Sequence, residues 1–245
     1  MQTTLAREIT LKGAGVHAAV EATLTLKPAL ANTGIVFVRS FADQAPRKAA
    51  VSRTSVQATD LATVLGDRSG ALVSTVEHLL AAFHGLAIDN AVVEIDGPEV
   101  PILDGSASQF VAAIDAAGVT EVRARRKFLK VLKPVRVENG ASFGELLPYD
   151  AGFRLEVEIE FAHDAIGRQR FAATMSPAVF RRELAGARTF GFLKDVERLR
   201  SAGYALGAAL ENTVCLDDGG VMNEGGLRFT DEFVRHKALD AVGDL

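Results

Sequence analysis

The segment Phe153–Phe161 constrains the fold of this chain more than any other part of its sequence. Its residues alternate between apolar and polar, and every apolar side chain falls on the same face of an extended strand. Because successive side chains of a strand point to opposite faces of a sheet, the pattern predicts a strand buried on one face only. The chain must therefore contain a sheet that packs one face against other elements.

Strand and helix patterns occur in both halves of the chain, and each half begins with strands and proceeds to a helix. The apolar periodicity and the glycine stops predict strands at Val20–Lys27, Gly34–Arg39, Asn90–Ile95 and Phe128–Leu132, and helices at Thr75–His84, Ser106–Ala117, Ser176–Ala187, Val196–Ala202 and from Asp231 onward. This order lacks the strict alternation of a doubly wound parallel sheet, so we predict an α+β fold. The basic run Arg123–Lys127 separates the halves, which predicts domains at residues 1–125 and 126–245.

Composition narrows the class of protein. With 245 residues, of which 48% are hydrophobic and 24% charged, the chain is long enough for one large domain or two small ones. A net charge of −4 argues against a nucleic-acid partner. Cys215 is the only cysteine, which excludes an intrachain disulfide and a thiolate-rich zinc site. The chain begins without a signal-peptide pattern and has no apolar run of about 20 residues, so we expect a cytoplasmic location.

Chemistry-bearing residues recur near the end of the chain. His236, Asp240 and Asp244 are spaced by four residues. In a helix each such step turns about 400°, so the three side chains lie along one face with a drift of about 40° per step. A second histidine, His78, lies far upstream beside Glu77 in another helical pattern.

These residues suit a mononuclear metal site. Two histidines and one aspartate leave a coordination position open for water, as in catalytic zinc sites, and Glu77 could then accept a proton from that water. The same ligand types also suit a non-haem iron oxygenase. Simpler interpretations stay open as well: Glu77 as the N3 carboxylate of a capping box with Ser74, His78 as a core histidine, and the terminal helix as a solvated face.

Several motifs, in order along the chain, resemble one enzyme family. These are Gly13–His17, Lys27–Ala29, Ser74–Ala82, Gly97–Ser106, Ala187–Phe192 and Asp231–Lys237. Together they resemble the LpxC family, the UDP-3-O-acyl-N-acetylglucosamine deacetylases, which are zinc amidases of lipid A synthesis. The resemblance implies a two-domain α/β sandwich in which each domain packs a sheet on helices and carries a small insert. In the second domain the insert is expected at about residues 192–215.

The resemblance also implies roles for individual residues. His78, His236 and Asp240 match the zinc ligands and Glu77 the general base, while Thr189 would hold the tetrahedral oxyanion. The residues expected to contact the substrate are Phe190 in the substrate pocket, Lys237 against the charged nucleotide, and Leu193, Val196, Leu199, Thr213 and Cys215 along the acyl chain. An ordinary core role is the alternative for these apolar residues. We expect a monomer that touches a membrane peripherally at most.

The carboxyl end departs from the family pattern. Other members continue past Leu245 with a strand, a helix and a Gly-His motif, whose histidine is oriented by the carboxylate that Asp244 matches. The chain lacks this histidine, so we expect a truncated product with exposed apolar surface. The alternative function is therefore a zinc-binding fragment with weak or no catalytic activity.

Overall fold

The computed structural model describes residues 1–245 and contains seventeen strands and five α-helices. The strands of the first half are β1 (Gln2–Leu5), β2 (Ile9–Ala14), β3 (Glu21–Pro28), β4 (Ile35–Arg39), β5 (Arg47–Ala50), β6 (Val56–Ala58), β7 (Val64–Asp67), β8 (Gly70–Val73), β9 (Ala91–Ile95) and β10 (Val119–Val122). The helices of this half are α1 (Glu77–Gly85) and α2 (Ser108–Ala117).

The second half adds β11 (Val135–Asn139), β12 (Ser142–Leu146), β13 (Arg154–Phe161), β14 (Gly167–Thr174), β15 (Phe190–Phe192), β16 (Val214–Asp217) and β17 (Gly220–Val221). Its helices are α3 (Pro177–Val179), α4 (Val196–Ser201) and α5 (Glu232–Asp244). The mixture of separate sheets and helices confirms the predicted α+β fold class.

A five-stranded sheet forms the centre of the first half. Its order is β2-β3-β9-β4-β5, and only the β4–β9 pair is parallel. Alternate residues of β3, namely Ala22, Leu24 and Leu26, are buried, as the alternating sequence requires. They join one apolar core with the inner faces of α1 and α2.

Helix α5 joins that same core from the second half. Its buried residues Val234, Ala238, Leu239 and Val242 follow the i, i+4, i+5, i+8 spacing of one helix face, and they belong to the same apolar cluster as the buried residues of α1. The two helices are therefore packed together although about 150 residues separate them in sequence, which brings the two chemistry-bearing segments into contact.

Strands β13 and β14 pair antiparallel along their full length, with Leu155 and Phe171 buried. The strand predicted from the alternation of Phe153–Phe161 is thus confirmed as Arg154–Phe161. Strands β15, β16 and β17 form a second small sheet beside it, in which β15 and β16 are parallel.

The strand predicted at Phe128–Leu132 is wrong. These residues form no strand, and the side chains of Phe128 and Leu129 are 82% and 93% exposed. A strand requires a hydrogen-bonding partner, and β11, the next strand along the chain, pairs only with β12.

None of the helices has both the length and the apolar character that crossing a membrane requires.

The helix predicted over Ser176–Ala187 is shorter and irregular. Ser176 caps α3, since its hydroxyl accepts the N–H of Val179 at 3.2 Å, but Phe180–Leu184 is a wider π-type turn. The turn buries Phe180 against Gly85 of α1, where a Cβ atom would lie 2.3 Å from the Phe180 ring. Core packing thus decides the local geometry here.

Candidate metal centre between the first and last helices

A strained turn places the first candidate ligand. Between β8 and α1, Thr75 has a φ of 56°, a left-handed conformation that is costly for a β-branched residue. Its hydroxyl donates to the fully buried carboxylate of Glu99 at 2.7 Å, and Glu99 also accepts the backbone N–H groups of His17 and Ala18. This network turns the strand directly into the helix, so that Glu77 and His78 are its first two residues.

The capping-box interpretation of Glu77 is wrong. Val76, not Ser74, occupies the N-cap position, and the Ser74 hydroxyl donates to the carbonyl of Pro98. Glu77 stands at the first helical position, where its carboxylate accepts the backbone N–H of Thr63 at 3.1 Å. Because the side chain is not used by the helix end, it is available for chemistry.

The two helices bring His78, His236 and Asp240 together. One ligand atom from each lies within 4.8 Å of the others. Oδ1 of Asp240 is 3.5 Å from Nε2 of His78 and 3.3 Å from Nε2 of His236. His78 contacts His236 and Asp240, so it is not a lone core histidine. His236 is buried, so this face of the terminal helix is not solvated.

These distances and contacts fit a bound metal ion. Ligand atoms about 2.0–2.1 Å from a tetrahedral ion are roughly 3.3–3.4 Å apart, close to the two distances from Asp240 Oδ1 to the imidazole nitrogens. Asp240 Oδ1 is buried and has no hydrogen-bond partner, although buried carboxylate oxygens normally have one. Nδ1 of His236 lies 3.0 Å from the carbonyl of Ala187 and must donate to it, which leaves Nε2 unprotonated and aimed at the cluster.

Electrostatics also favour a cation at this place. Burial lowers the pKa of His236 to about 4, so that this imidazole is neutral near pH 7. Burial also lowers the pKa of His78, but the Asp240 carboxylate outweighs it and the net shift is upward. Burial raises the pKa of Asp240, yet His236, His78 and Lys237 together bring it below its ordinary value. The ionised carboxylate therefore lies between two imidazoles, an arrangement of deprotonated oxygen and nitrogen donors that suits a bound cation.

The pKa of Glu77 is shifted towards neutrality. Burial raises the pKa of this carboxyl group from 4.5 to about 7, with opposition from the neighbouring His78. A general base works best when its pKa lies near the operating pH. Glu77 thus has the electrostatic character expected of the base.

Asp244, the third member of the four-residue series, does not join the cluster. Its Oδ1 accepts the hydroxyl of Thr63 at 2.8 Å. Thr63 therefore connects Asp244 to Glu77, since its own N–H donates to Glu77. The remaining histidines, His17, His84 and His163, are also outside the cluster.

Two predicted substrate residues lie beside the cluster. The rings of Phe190 and His236 meet edge to face with centroids 6.5 Å apart. Nζ of Lys237 lies 5.5 Å from the Phe190 centroid and 3.1 Å from Asp240 Oδ2, with nearly half of its side chain exposed. Thr189 precedes Phe190, and its backbone is fixed by hydrogen bonds to Gly105 and Val214.

The five residues expected along the acyl chain are divided between two elements. Leu193, Val196 and Leu199 lie at and just before α4, while Thr213 and Cys215 lie at β16. Leu193 lines a cavity of about 190 Å³ with Phe192, His163 and Leu216. The other four predicted residues do not line it, so the structure does not bring the five together around this cavity.

Sequence reasoning missed three contributors to the site. Thr63 lies in a polar segment without a motif, and the Ala187 carbonyl is a backbone group that no side-chain pattern reports. Gly243 is the third: a Cβ there would lie 2.1 Å from the carbonyl oxygen of Glu77, so only glycine permits this approach of α5 to α1. A glycine inside a helical pattern was the one available signal.

A buried His-His-Asp cluster beside a carboxyl group whose pKa is about 7 has the arrangement typical of a mononuclear metal hydrolase. The comparisons with known proteins specify the family. The family model of the UDP-3-O-acyl N-acetylglycosamine deacetylases, LpxC, matches residues 2–245. The chain is 56% identical over 246 residues to the UDP-3-O-acyl-N-acetylglucosamine deacetylases of Brucella ovis, Brucella canis and Brucella abortus, covering 100% of this chain and 85% of each relative. The chain belongs to the LpxC family, which confirms the resemblance seen in its motifs.

Proposed function

We propose that this protein is a zinc-dependent deacetylase that hydrolyses the acetamide of UDP-3-O-acyl-N-acetylglucosamine and releases acetate, a step of lipid A biosynthesis. The single observation that carries the proposal is the cluster of His78, His236 and Asp240, with an unpartnered carboxylate oxygen and Glu77 beside it. Family membership supplies the substrate class, since the relatives carry the name of this deacetylase. The site would lie between the domains predicted at residues 1–125 and 126–245.

Zinc suits the ligand set better than a hard cation. Two imidazoles and one carboxylate match zinc preferences, and three protein ligands leave a position open for substrate or water. Zinc held there would act as a Lewis acid that polarises the amide carbonyl and lowers the pKa of a bound water.

Glu77 performs the proton transfers in this proposal. Its ionised carboxylate removes a proton from the attacking water, and the oxygen of that water bonds to the acetamide carbon. The carboxylic acid so formed then delivers the proton to the glucosamine nitrogen as the carbon–nitrogen bond breaks. The Thr63 N–H holds the carboxylate at the start of α1, and the hydroxyl of Thr189 donates to the oxyanion.

The surrounding residues would orient the substrate. Lys237 offers an exposed cation beside the cluster, suited to the nucleotide phosphates, and the Phe190 ring gives an apolar wall. Residues 192–215, with Leu193, Val196, Leu199, Thr213 and Cys215, are the part proposed to hold the acyl chain.

Acetate release from UDP-3-O-acyl-N-acetylglucosamine tests the proposal directly. The purified chain with one equivalent of zinc should turn over the substrate, and a chelator should stop it. Glu77→Gln should lower turnover by about 10²–10⁴-fold while zinc stays bound, whereas Glu224→Gln, at an exposed position, should match the wild type. Undiminished turnover in Glu77→Gln would contradict the mechanism, and oxygen consumption with Fe(II) and a 2-oxoacid would favour the oxygenase instead.

A further inference from the structure

The first residue of α5, Glu232, is a fully buried carboxylate outside the metal cluster. It accepts four hydrogen bonds. Oε1 accepts the backbone N–H of Arg188 at 3.0 Å and Nε of the same residue at 2.9 Å, while Oε2 accepts Nη2 of Arg188 at 3.1 Å and the backbone N–H of Arg228 at 2.6 Å. Burying a charge is expensive, so a carboxylate with this many donors is held in one position.

Arg188 connects Glu232 to the segment that contacts His236. It lies between Ala187, whose carbonyl accepts Nδ1 of His236, and Thr189, which is next to the Phe190 ring. Glu232 precedes His236 by four residues and so lies one helical turn below it on the same face of α5. The carboxylate and the imidazole thus contact the same short segment, residues 187–188, from successive turns of one helix.

Further hydrogen bonds connect residues 186–188 to residues 226–228. Nη2 of Arg188 donates to the carbonyl of Gly226 at 2.7 Å, and the Arg228 guanidinium reaches the carbonyl of Gly186 at 3.0 Å and Asp104 at 2.9 Å. Glu232 is the one acceptor that both arginine residues share, because it accepts the guanidinium of Arg188 and the backbone N–H of Arg228. Glu232 therefore joins the contacts of Arg188 and Arg228 into one hydrogen-bond network.

We propose that Glu232 is a positioning residue for the metal centre, which fixes the Ala187 carbonyl through Arg188 and thereby holds the His236 imidazole in its metal-binding tautomer and orientation. The inference rests on the proposed function, because it assumes that His236 binds the metal. Partners that orient metal-binding histidines typically contribute 10–100-fold to metal affinity.

Glu232→Gln is the variant to test. The amide oxygen can still accept from one side, but the NH₂ group faces donors, so at least part of the network must break. The zinc dissociation constant, from competition with a chromophoric chelator, should rise about 10–100-fold. The ¹⁵N signals of the His236 imidazole in the metal-free chain should shift, while those of His84, which bonds to the carbonyl of Val242, should stay in place.

Glu183→Gln is the matched control. The carboxylate of Glu183 pairs with Arg235 of α5 at 2.6 Å but forms no hydrogen bond with residues 187–189. The Glu183→Gln chain should keep the zinc affinity and the His236 signals of the wild type. A Glu232→Gln chain that melts earlier yet keeps both the wild-type zinc affinity and the wild-type His236 signals would overturn the inference and leave only a structural role.

Arg188→Lys serves if Glu232→Gln does not fold. Lysine keeps the charge pair and the backbone N–H but loses the guanidinium fork that contacts both Glu232 and Gly226. A smaller loss of zinc affinity is expected, and an unchanged affinity overturns the inference. Failure of the wild-type chain to bind zinc at all would instead refute the proposed metal site, so the two failures are distinguishable.

Discussion

The contact between α1 and α5 and the segment 128–147 are both rich in apolar residues, yet they lie in opposite environments. Leu79 and Phe83 of α1 and Leu239 of α5 are almost completely buried. In the other region Phe128, Leu129 and Leu132 are more than four-fifths exposed, and all residues of β11 and β12 are exposed. Apolar periodicity thus produces packing only where a second element offers a matching face.

The comparison extends to the polar groups of the two regions. At the helix contact, burial raises the pKa of Glu77 and lowers that of His236, while the neighbouring charged groups raise the pKa of His78 and lower that of Asp240. In the hairpin the Arg136 guanidinium lies on the Phe143 ring, 3.8 Å from its centroid, and pairs with Glu138 in solvent. Reactive chemistry therefore requires the buried contact, which removes water from the charged groups.

The largest expected effect comes from a matched pair of phenylalanine truncations. Phe83→Ala removes a fully buried ring from the α1 core and should lower the free energy of unfolding by about 3–5 kcal/mol. Phe143→Ala removes a ring that is 60% exposed and should cost less than about 1 kcal/mol. Urea unfolding followed by circular dichroism measures both, and equal losses would break the comparison.

A charge effect of similar size should appear at Glu77 in the metal-free chain. The pKa of this carboxyl group is raised from 4.5 to about 7 in the folded state, so the folded chain retains a proton that the unfolded chain loses. The group therefore destabilises the fold progressively as pH rises from 4.5 to 7, by about 3 kcal/mol at most.

Glu77→Gln removes this pH dependence and keeps an acceptor for the Thr63 N–H. The variant should be more stable than the wild type at pH 8, and the difference should vanish below pH 4.5. Thermal unfolding across that range, with a chelator present, measures it. A wild-type advantage at pH 8 would show that burial does not raise the pKa of Glu77.

A glycine comparison tests the closeness of the two helices. Gly243→Ala places a Cβ 2.1 Å from the Glu77 carbonyl oxygen, so α5 must move away from α1, at about 1–3 kcal/mol. Gly144→Ala in β12 meets no atom within 4 Å and should change stability by less than about 0.5 kcal/mol.

Zinc affinity provides the second measurement for this pair of variants. Gly243→Ala should weaken zinc binding, because Asp240 and His236 move together with α5 relative to His78. Gly144→Ala should not. Wild-type affinity in Gly243→Ala would show that the two helices tolerate a wider separation without loss of the site.

Local patterns predicted most of the elements near the core. The strands at Glu21–Pro28 and Arg154–Phe161 and the helix Ser108–Ala117, which Gly118 terminates, follow directly from alternation and from glycine stops. The pairing of strands was harder to predict from the sequence, because a strand pattern specifies which face of the strand is apolar and not which neighbouring strand it pairs with. Phe128–Leu132 shows this limit, because the pattern is present and the partner is not.

The candidate site, too, could be predicted only in part from local patterns. The residue types and helical spacing of His236 and Asp240 indicated a ligand pair, and the proximity of His78 required the tertiary contact of α1 with α5. The capping-box alternative for Glu77 failed because Thr75 adopts a left-handed conformation stabilised by Glu99, which lies 24 residues away in sequence. Long-range hydrogen bonds of this kind leave no local signature.

A substitution in the exposed segment 128–147 should have little effect on stability. Leu129→Ser replaces a leucine that is 93% exposed, and little apolar surface is buried there for the substitution to remove. The free energy of unfolding should change by less than about 0.5 kcal/mol, while binding of a hydrophobic dye to the folded chain should fall. Leu239→Ser, at a fully buried position of α5, is the contrasting variant and should destabilise by several times that amount. A loss above about 2 kcal/mol in Leu129→Ser would mean that segment 128–147 is packed in solution, because a substitution at a solvated position has no buried contacts to lose.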